Sequence, residues 1–421
     1  MAGRTWSYRE FAALVGAERR RRDRAGTAPV VATGRPIVPA LATVFGAAAA
    51  GRPVLIGDPS GPSPELGALP AGTFLVVVTS GSSGTPRPIL RTAASWTRSF
   101  APLAELAGLD SGDRVLLTGP LHATLHLFAA VHTLALGAEL TDRPELATAM
   151  HAVPQVLAGL FSSLPAAAPL RTAVVAGTAL PDHLAATASR RGIAVTEYYG
   201  AAELSFVAAR RYPEPLRPFP GAEVDLRHGA SRGGAPPAGA PPHPTSHPGT
   251  LWVRSPYLAT GYPPGVSGPF RRDGAGFGTV GDLADPTPGG GLLIRGRGDA
   301  AITTGGATVI AEDVETALGR LPGIAAVAVV GVPHDRLGQV VTAVVEPVSG
   351  ADLTGLRAAA RAVLRAESLP RRWLLADRLP RTPSGKIARQ PVATAATRFA
   401  AGEAGPAEPP PDRGPRLRPL P

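Results

Sequence analysis

The sequence predicts an α/β protein: a large N-terminal domain of mostly parallel, helix-covered sheets with a small β-rich subdomain, followed by a compact C-terminal α+β domain. Between residues 72 and 200, short β-branched runs alternate with helix-compatible stretches, the pattern of a parallel sheet covered by helices. From Thr250 to Ile294 short strands follow one another without intervening helices. Near Asp299 the order changes to β-α-β-β-α over about a hundred residues, enough for a second compact unit.

The elements follow in order. Trp6 to Val15 reads as a short helix with aromatics on one side, followed by an arginine-rich segment. Residues 40–50 are alanine-rich and helical, and Pro53 to Ile56 is a strand. After the loop described below, Ser95 to Leu109 reads as a helix and Arg114 to Leu117 as a strand. Leu121 to Leu136 is a helix on which His122 and His126, four apart, share a face. They lack a third ligand and an HExxH glutamate, so a pocket wall or helix packing fits better than a metal. Thr172 to Val175 and Ile193 to Thr196 are strands around the helix Pro181 to Arg190. Residues 229–249 are dense in Gly and Pro and read as a solvated insertion. In the second domain Glu312 to Leu318 and Leu353 to Ala366 are helices, and Ile324 to Val332 and Val340 to Val345 are strands. The division is 1–298, 299–395 and a tail, 396–421, expected to be disordered.

With 421 residues, 44% of them hydrophobic, the chain can bury more than one core. No apolar run reaches the length of a membrane span, and Arg4, Arg9 and Glu10 follow Met1 where an export segment would be apolar. The absence of cysteine excludes disulfides, thiolate metal sites and cysteine nucleophiles, and a cytoplasmic protein is expected. The formal charge of +10 is partly collected in Arg19, Arg20, Arg21, Arg22 and Arg24 and otherwise scattered. No zinc-finger spacing or RNA-binding aromatic pair accompanies it, so nucleic acid is not an expected partner. Oligomeric state is not legible.

The chain is organised around Val76-Val77-Val78-Thr79-Ser80-Gly81-Ser82-Ser83-Gly84-Thr85-Pro86-Arg87. The valines favour a strand, while Gly81 and Gly84 free the backbone to aim successive N–H groups at one anion. Hydroxyls of Thr79, Ser80, Ser82 and Ser83 add donors and Arg87 a positive fork, which makes a phosphate grip. An ordinary β-turn has the same composition, and the GxxxxGK[ST] pattern is absent. A second signal is one of composition: of 42 basic residues only Lys386 is a lysine, in the glycine- and proline-bounded loop Pro380 to Ile387. A compact ammonium retained where every other cation is an arginine points to a role that a planar fork cannot fill.

Together these segments resemble the adenylate-forming enzymes, the acyl-CoA synthetase (AMP-binding) superfamily. Thr79 to Arg87 looks like its phosphate loop and Tyr199-Gly200-Ala201-Ala202-Glu203 like its second signature. Gly281-Asp282, Gly296-Arg297-Gly298-Asp299, Gly305-Gly306 and Pro383-Ser384-Gly385-Lys386-Ile387 resemble the others, in the family's order. The resemblance implies that a carboxylate attacks the α-phosphorus of ATP, giving an acyl-adenylate and pyrophosphate, and that the small domain then turns so that a thiol displaces AMP. It implies that Thr79, Ser80, Gly81, Ser82, Ser83, Gly84 and Arg87 hold phosphates, and that Glu203 helps hold Mg²⁺. Tyr199 and Gly200 would border adenine, with Ala176, Gly177 and Thr178 along the other edge. Asp282, supported by Arg297, would take the ribose hydroxyls, Gly305 and Gly306 would line the path of the thiol, and Asp299 would be the hinge. Lys386 would bridge the carboxylate and the α-phosphate.

The chain departs from the family pattern. Arg87 and Pro88 stand for lysine and glycine, Ala202 and Val280 for threonines, Thr303 for a lysine and Ala311 for a proline, and only 78 residues precede the loop's Thr79. A compact first subdomain is implied. His122 and His126 look like the acyl-pocket segment; the alanines along 123–138 and the lack of an internal arginine favour a fatty or aryl acid over a diacid. Coenzyme A is the expected acceptor. The alternatives are the pantetheine arm of a carrier protein, or a nucleotide-binding protein of this fold without ligase chemistry.

Overall fold

In a computed structural model of the chain, the described residues are 4–23, 28–61, 63–79, 87–165, 168–228, 248–297, 301–304, 307–382, 385–402 and 415–420. Among them the chain forms four sheets. In the first, Val30–Val31, Val54–Ile56 and Thr73–Thr79 run parallel, and Arg87–Thr92 closes an antiparallel hairpin on Thr73–Thr79 in which Thr79 pairs with Arg87. The second is seven-stranded. Its parallel centre (Glu139–Thr141, Arg114–Leu116, Ala149–Ala152, Thr172–Val175, Ala194–Ala201) carries two antiparallel strands, Ser205–Arg211 and Arg217–Pro218, at one edge. Both sheets share one apolar core, from Val54 and Leu75 through Trp96, Leu127 and Phe128 to Val174 and Phe206.

A third, antiparallel sheet is built from Glu223–Arg227, Gly249–Arg254, Arg271–Arg272, Gly278–Thr279, Asp282–Thr287 and Gly291–Arg297, matching the expected β-rich portion. The fourth belongs to the C-terminal region. Its long hairpin Ile324–His334/Gly338–Pro347 is joined by Ala301–Thr304, Ala307–Ile310 and Arg372–Ala376, with the helix Ala311–Leu318 packed on it. No helix among the described residues is long and apolar enough to cross a membrane.

Several elements differ from the sequence expectation, each for a local reason. The first helix spans Tyr8–Asp23, so the arginine-rich segment continues it; arginine is a good helix former. The helix expected over 95–109 is two, Ala93–Thr97 and Phe100–Ala107. Pro102 cannot donate to the Arg98 carbonyl and its ring crowds it, which breaks the helix there. The helix expected from Leu121 starts only at Thr124, so His122 lies in the turn before it and shares no helical face with His126. The strand expected to end at Thr196 runs to Ala201 and carries Tyr198, Tyr199 and Gly200 within it.

The tail is also corrected. Arg389–Ala400 is a helix whose Val392 and Ala396 are fully buried, and Leu417–Pro419 pairs antiparallel with Arg372–Ala376 while Leu420 is buried. Alanine-rich, proline-flanked composition concealed both, because their burial depends on a sheet built from residues far upstream. Most of the 229–249 insertion lies outside the described residues, although Gly249 opens a strand.

Candidate active site

The carboxyl ends of the parallel strands converge on one region, where an α/β sheet places its ligand. The strand Thr172–Val175 leads into Ala176-Gly177-Thr178, and Gly177 adopts φ +97°, a conformation that glycine takes without a steric penalty. A β-carbon on Gly177 would stand 3.1 Å from Lys386 Cε and 3.1 Å from Val153 Cγ1, and one on Gly385 would stand 3.2 Å from Val153 Cγ2. The only lysine thus reaches from the C-terminal region onto the Ala176–Thr178 loop. Its own loop is closed by Gly385 N–H donating to the Thr382 carbonyl (2.8 Å) and Thr382 N–H to the Lys386 carbonyl (2.7 Å).

The far end of the Ala176–Thr178 loop is anchored by residues that the sequence alone does not single out. Glu197, buried on the neighbouring strand, accepts from Leu180 N–H (2.9 Å) and from Arg210 Nε (2.6 Å). One bond to each oxygen fixes the carboxylate, and the carboxylate fixes the backbone after Thr178. The only sequence signal is a carboxylate within a β-branched strand.

On the next strand Tyr199 donates its phenolic hydrogen to Asp282 Oδ2, joining two signatures 83 residues apart. Asp282 is buried and begins a strand in register with Arg297, so the aspartate is held by sheet pairing rather than sitting in a free turn. Gly200 is a glycine for a packing reason: a β-carbon there would lie 2.0 Å from the Ser205 carbonyl oxygen across the hairpin. The side chain of Arg297 lies outside the described residues.

Glu203 lies in the turn of the same hairpin, between Ala201 and Ser205, and is buried. Its Oε1 accepts from Tyr262 Oη at 2.9 Å, and Tyr262 in turn accepts from Phe270 N–H at 3.2 Å. Burial, and then the nearby Glu203 charge, raise the Tyr262 pKa well above the usual phenol value, so it remains a donor; the Arg87 charge opposes this in part. Arg91, completely buried, donates to the carbonyls of Ala202 (3.1 Å), Ser95 (2.7 Å) and Tyr257 (2.6 Å), clamping the backbone beside Glu203. Burial pushes its guanidinium pKa down to about 9, with the Glu203 carboxylate pulling the other way. Tyr262 and Arg91 were not expected from the sequence, since an isolated tyrosine or arginine carries no spacing signal.

In the segment expected to line the acyl pocket, His126 Nδ1 lies 3.2 Å from Thr118 Oγ1, and its ring fills the space a Gly119 β-carbon would need. His122 Nε2 lies 4.0 Å from Asp58 Oδ2. Of the remaining expected residues, Thr79 is described in its backbone only. Ser80, Gly81, Ser82, Ser83, Gly84, Asp299, Gly305 and Gly306 lie outside the described residues. No group of three or more His, Asp or Glu side chains forms a metal cage among the described residues.

Comparison with known proteins agrees with this arrangement. Residues 58–263 match the AMP-binding enzyme family and residues 313–386 match the AMP-binding enzyme C-terminal domain. The chain is 30% identical over 407 residues to a probable 2-succinylbenzoate–CoA ligase of Mycobacterium tuberculosis, covering 87% of this chain and 96% of that one. It is 30% identical over 396 residues to a feruloyl-CoA synthase of an Amycolatopsis species, covering 84% and 77%. The crystal structure of ATP-bound MatB from Rhodopseudomonas palustris superposes with a TM-score of 0.81 at 20% identity, covering 94% of this chain and 95% of that one. The chain therefore belongs to the AMP-binding, adenylate-forming enzymes and has their fold.

Proposed function

We propose that this chain is an AMP-forming acid–thiol ligase, which activates a carboxylic acid with ATP to an acyl-adenylate and pyrophosphate and then passes the acyl group to coenzyme A. The observation that carries this reading is the reach of Lys386 onto Gly177, beside the strand that bears Tyr199 and leads into the turn holding Glu203. As the carboxylate closes on the α-phosphate, negative charge gathers between them. An ammonium placed there stabilises that arrangement more than it stabilises the separated reactants. Tyr199 and Asp282, joined by their hydrogen bond, form the nucleoside end, and the Thr79–Arg87 hairpin supplies the phosphate end.

Glu203 fits a shared Mg²⁺ site. It is an oriented carboxylate with no cage of three or more ligating side chains among the described residues, and Mg²⁺ characteristically binds one or two carboxylates together with substrate phosphates. Bound there, the ion would offset the charge that a carboxylate meets at a triphosphate. Tyr262 and Arg91 keep the carboxylate aimed.

For the second step, the region after Asp299 turns as a separate domain and carries Lys386 away, with Gly305 and Gly306 approaching the thiol path. An aryl acid is favoured over a fatty acid, because the two relatives named above are a feruloyl-CoA synthase and a probable 2-succinylbenzoate–CoA ligase. Use of ATP and coenzyme A, with no cysteine to oxidise, suits the cytoplasm. The test is acid-dependent exchange of labelled pyrophosphate into ATP, followed by mass spectrometry of products with coenzyme A present. Nucleotide binding without exchange across aliphatic, aromatic and dicarboxylic acids would refute the ligase reading. Persistent acyl-AMP beside unconsumed coenzyme A would transfer the acceptor role to a carrier protein.

A further inference from the structure

Three buried imidazoles crowd the space between the helix Thr124–Ala135 and the strand Ala149–Ala152, and packing alone does not account for them. His132 is fully buried and its Nε2 lies 3.1 Å from the Phe100 carbonyl oxygen. A carbonyl only accepts, so Nε2 carries the hydrogen and Nδ1 is a bare lone pair; Nδ1 has no hydrogen-bond partner among the described residues. His151 is 1% exposed, and neither of its ring nitrogens has a partner among the described residues. The two rings meet edge to face, 6.1 Å between centroids. Thr118 spends its hydrogen on the His151 carbonyl (2.5 Å), so at His126 it is the acceptor and Nδ1 the donor.

A buried polar atom left unpaired costs about 1–3 kcal/mol, and apolar residues could fill this volume without that cost. The region holds a donor and an acceptor on His151 and a second acceptor on His132. A hydroxyl, which donates and accepts at once, can give its hydrogen to one of the two bare nitrogens and take the His151 N–H. A second carboxylate does not, since it only accepts, and burial holds His132 near pKa 4 and His151 near 3, so neither supplies a cation. Phe100 packs on His132 and Phe128 on both His132 and His151, with Phe206 behind Phe128. His151 lies two residues before Val153, whose methyls stand against Gly177 and Gly385 at the Lys386 position. Two residues of extended strand advance roughly 6–7 Å, about the span of one aromatic ring.

We infer that the acid activated by this chain carries a hydroxyl on an aromatic ring, and that His132 and His151 recognise that hydroxyl at the far end of the acyl pocket. The inference rests on the ligase reading above. The experiment measures kcat/KM for pyrophosphate exchange with matched acids: benzoate and its 2-, 3- and 4-hydroxy forms, cinnamate and 4-hydroxycinnamate, alongside aliphatic acids and diacids. A site built to bond a hydroxyl discriminates strongly against the analogue lacking it, so at least one hydroxylated acid should exceed its parent by ~10-fold or more. His151→Phe and His132→Phe should each collapse that ratio toward one by lowering the hydroxylated acid's kcat/KM; if one fails to fold, the other and the wild-type ratio still decide. Exchange with aromatic acids at ratios near one, or only with aliphatic acids or diacids, would overturn the inference and leave the ligase reading standing. A ratio that survives both substitutions would overturn the histidine assignment. Exchange with no acid would overturn the ligase reading, and this inference with it.

Discussion

Lys386 Cε and Gly177 are in direct apposition: the lysine occupies the face of the loop where any side chain at 177 would begin, 3.1 Å away. Gly177→Ala therefore acts twice, placing a methyl against the ammonium stem and forcing φ +97° on a residue with a β-carbon. The conformational penalty is about 1–2 kcal/mol. Small displacements of reacting groups cost on the order of 10²-fold in rate. The variant should fold with a modestly lowered melting temperature and lose pyrophosphate exchange by far more than its stability change explains.

The bond from Tyr199 to Asp282 predicts a nucleotide-specific defect. Removing a hydrogen bond to a charged group costs roughly 1.5–3 kcal/mol, so Tyr199→Phe should raise KM for ATP by about 10-fold or more. KM for the acid should change little. A matched rise in both constants would show that the bond serves the fold and not the nucleotide.

Tyr262→Phe leaves Glu203 without its oriented donor. In a Mg²⁺ titration of exchange, the half-saturating concentration should rise severalfold, while unfolding shifts by about 1–2 kcal/mol. Arg91→Met should behave differently. It strips one donor group from three backbone carbonyls and leaves Glu203 without its buried counter-charge, costing on the order of 3–5 kcal/mol and lowering the thermal midpoint before any kinetic effect is read.

The parts legible in the sequence were those whose signal is local or ordered along the chain. The parallel α/β alternation, the antiparallel portion after Gly249 and the hairpin-bearing C-terminal region all emerged near their expected places. The contacts of Lys386 with Gly177 and of Tyr199 with Asp282 were not read from the sequence, because each joins signatures far apart along the chain. What was missed depends on partners distant in sequence. Arg91 is defined by carbonyls 111 and 166 residues away, Glu197 by the turn it caps, and the strand Leu417–Pro419 by a neighbour about forty residues upstream. His122 was misplaced by a helix start three residues later than periodicity suggested.

The buried imidazoles predict an acid-sensitive core. Burial holds His126 and His132 near pKa 4 and His151 near 3, all below the 6.5 of an unfolded histidine. Between those values the unfolded chain binds more protons than the folded one. Stability is therefore complete above pH 6.5 and is lost as pH falls toward 3, by a few kcal/mol for each group. Denaturant unfolding from pH 7.5 to 4.5 should show this decline, and His151→Phe should flatten it. A pH-independent midpoint would mean that these rings are hydrated and able to charge.

The central claim is that Lys386 serves the adenylation step, and comparing the two half-reactions tests it most directly. A donor aimed at developing charge contributes about 3–4 kcal/mol, or roughly 10²- to 10³-fold in rate. Lys386→Ala and Lys386→Arg should both fold and bind ATP nearly as the parent does, yet lose pyrophosphate exchange by that factor, since a guanidinium fork does not occupy the space of a point donor. Given presynthesised acyl-AMP and coenzyme A, each should form thioester at close to the parent rate. Full pyrophosphate exchange by either variant with its cognate acid would contradict the assignment.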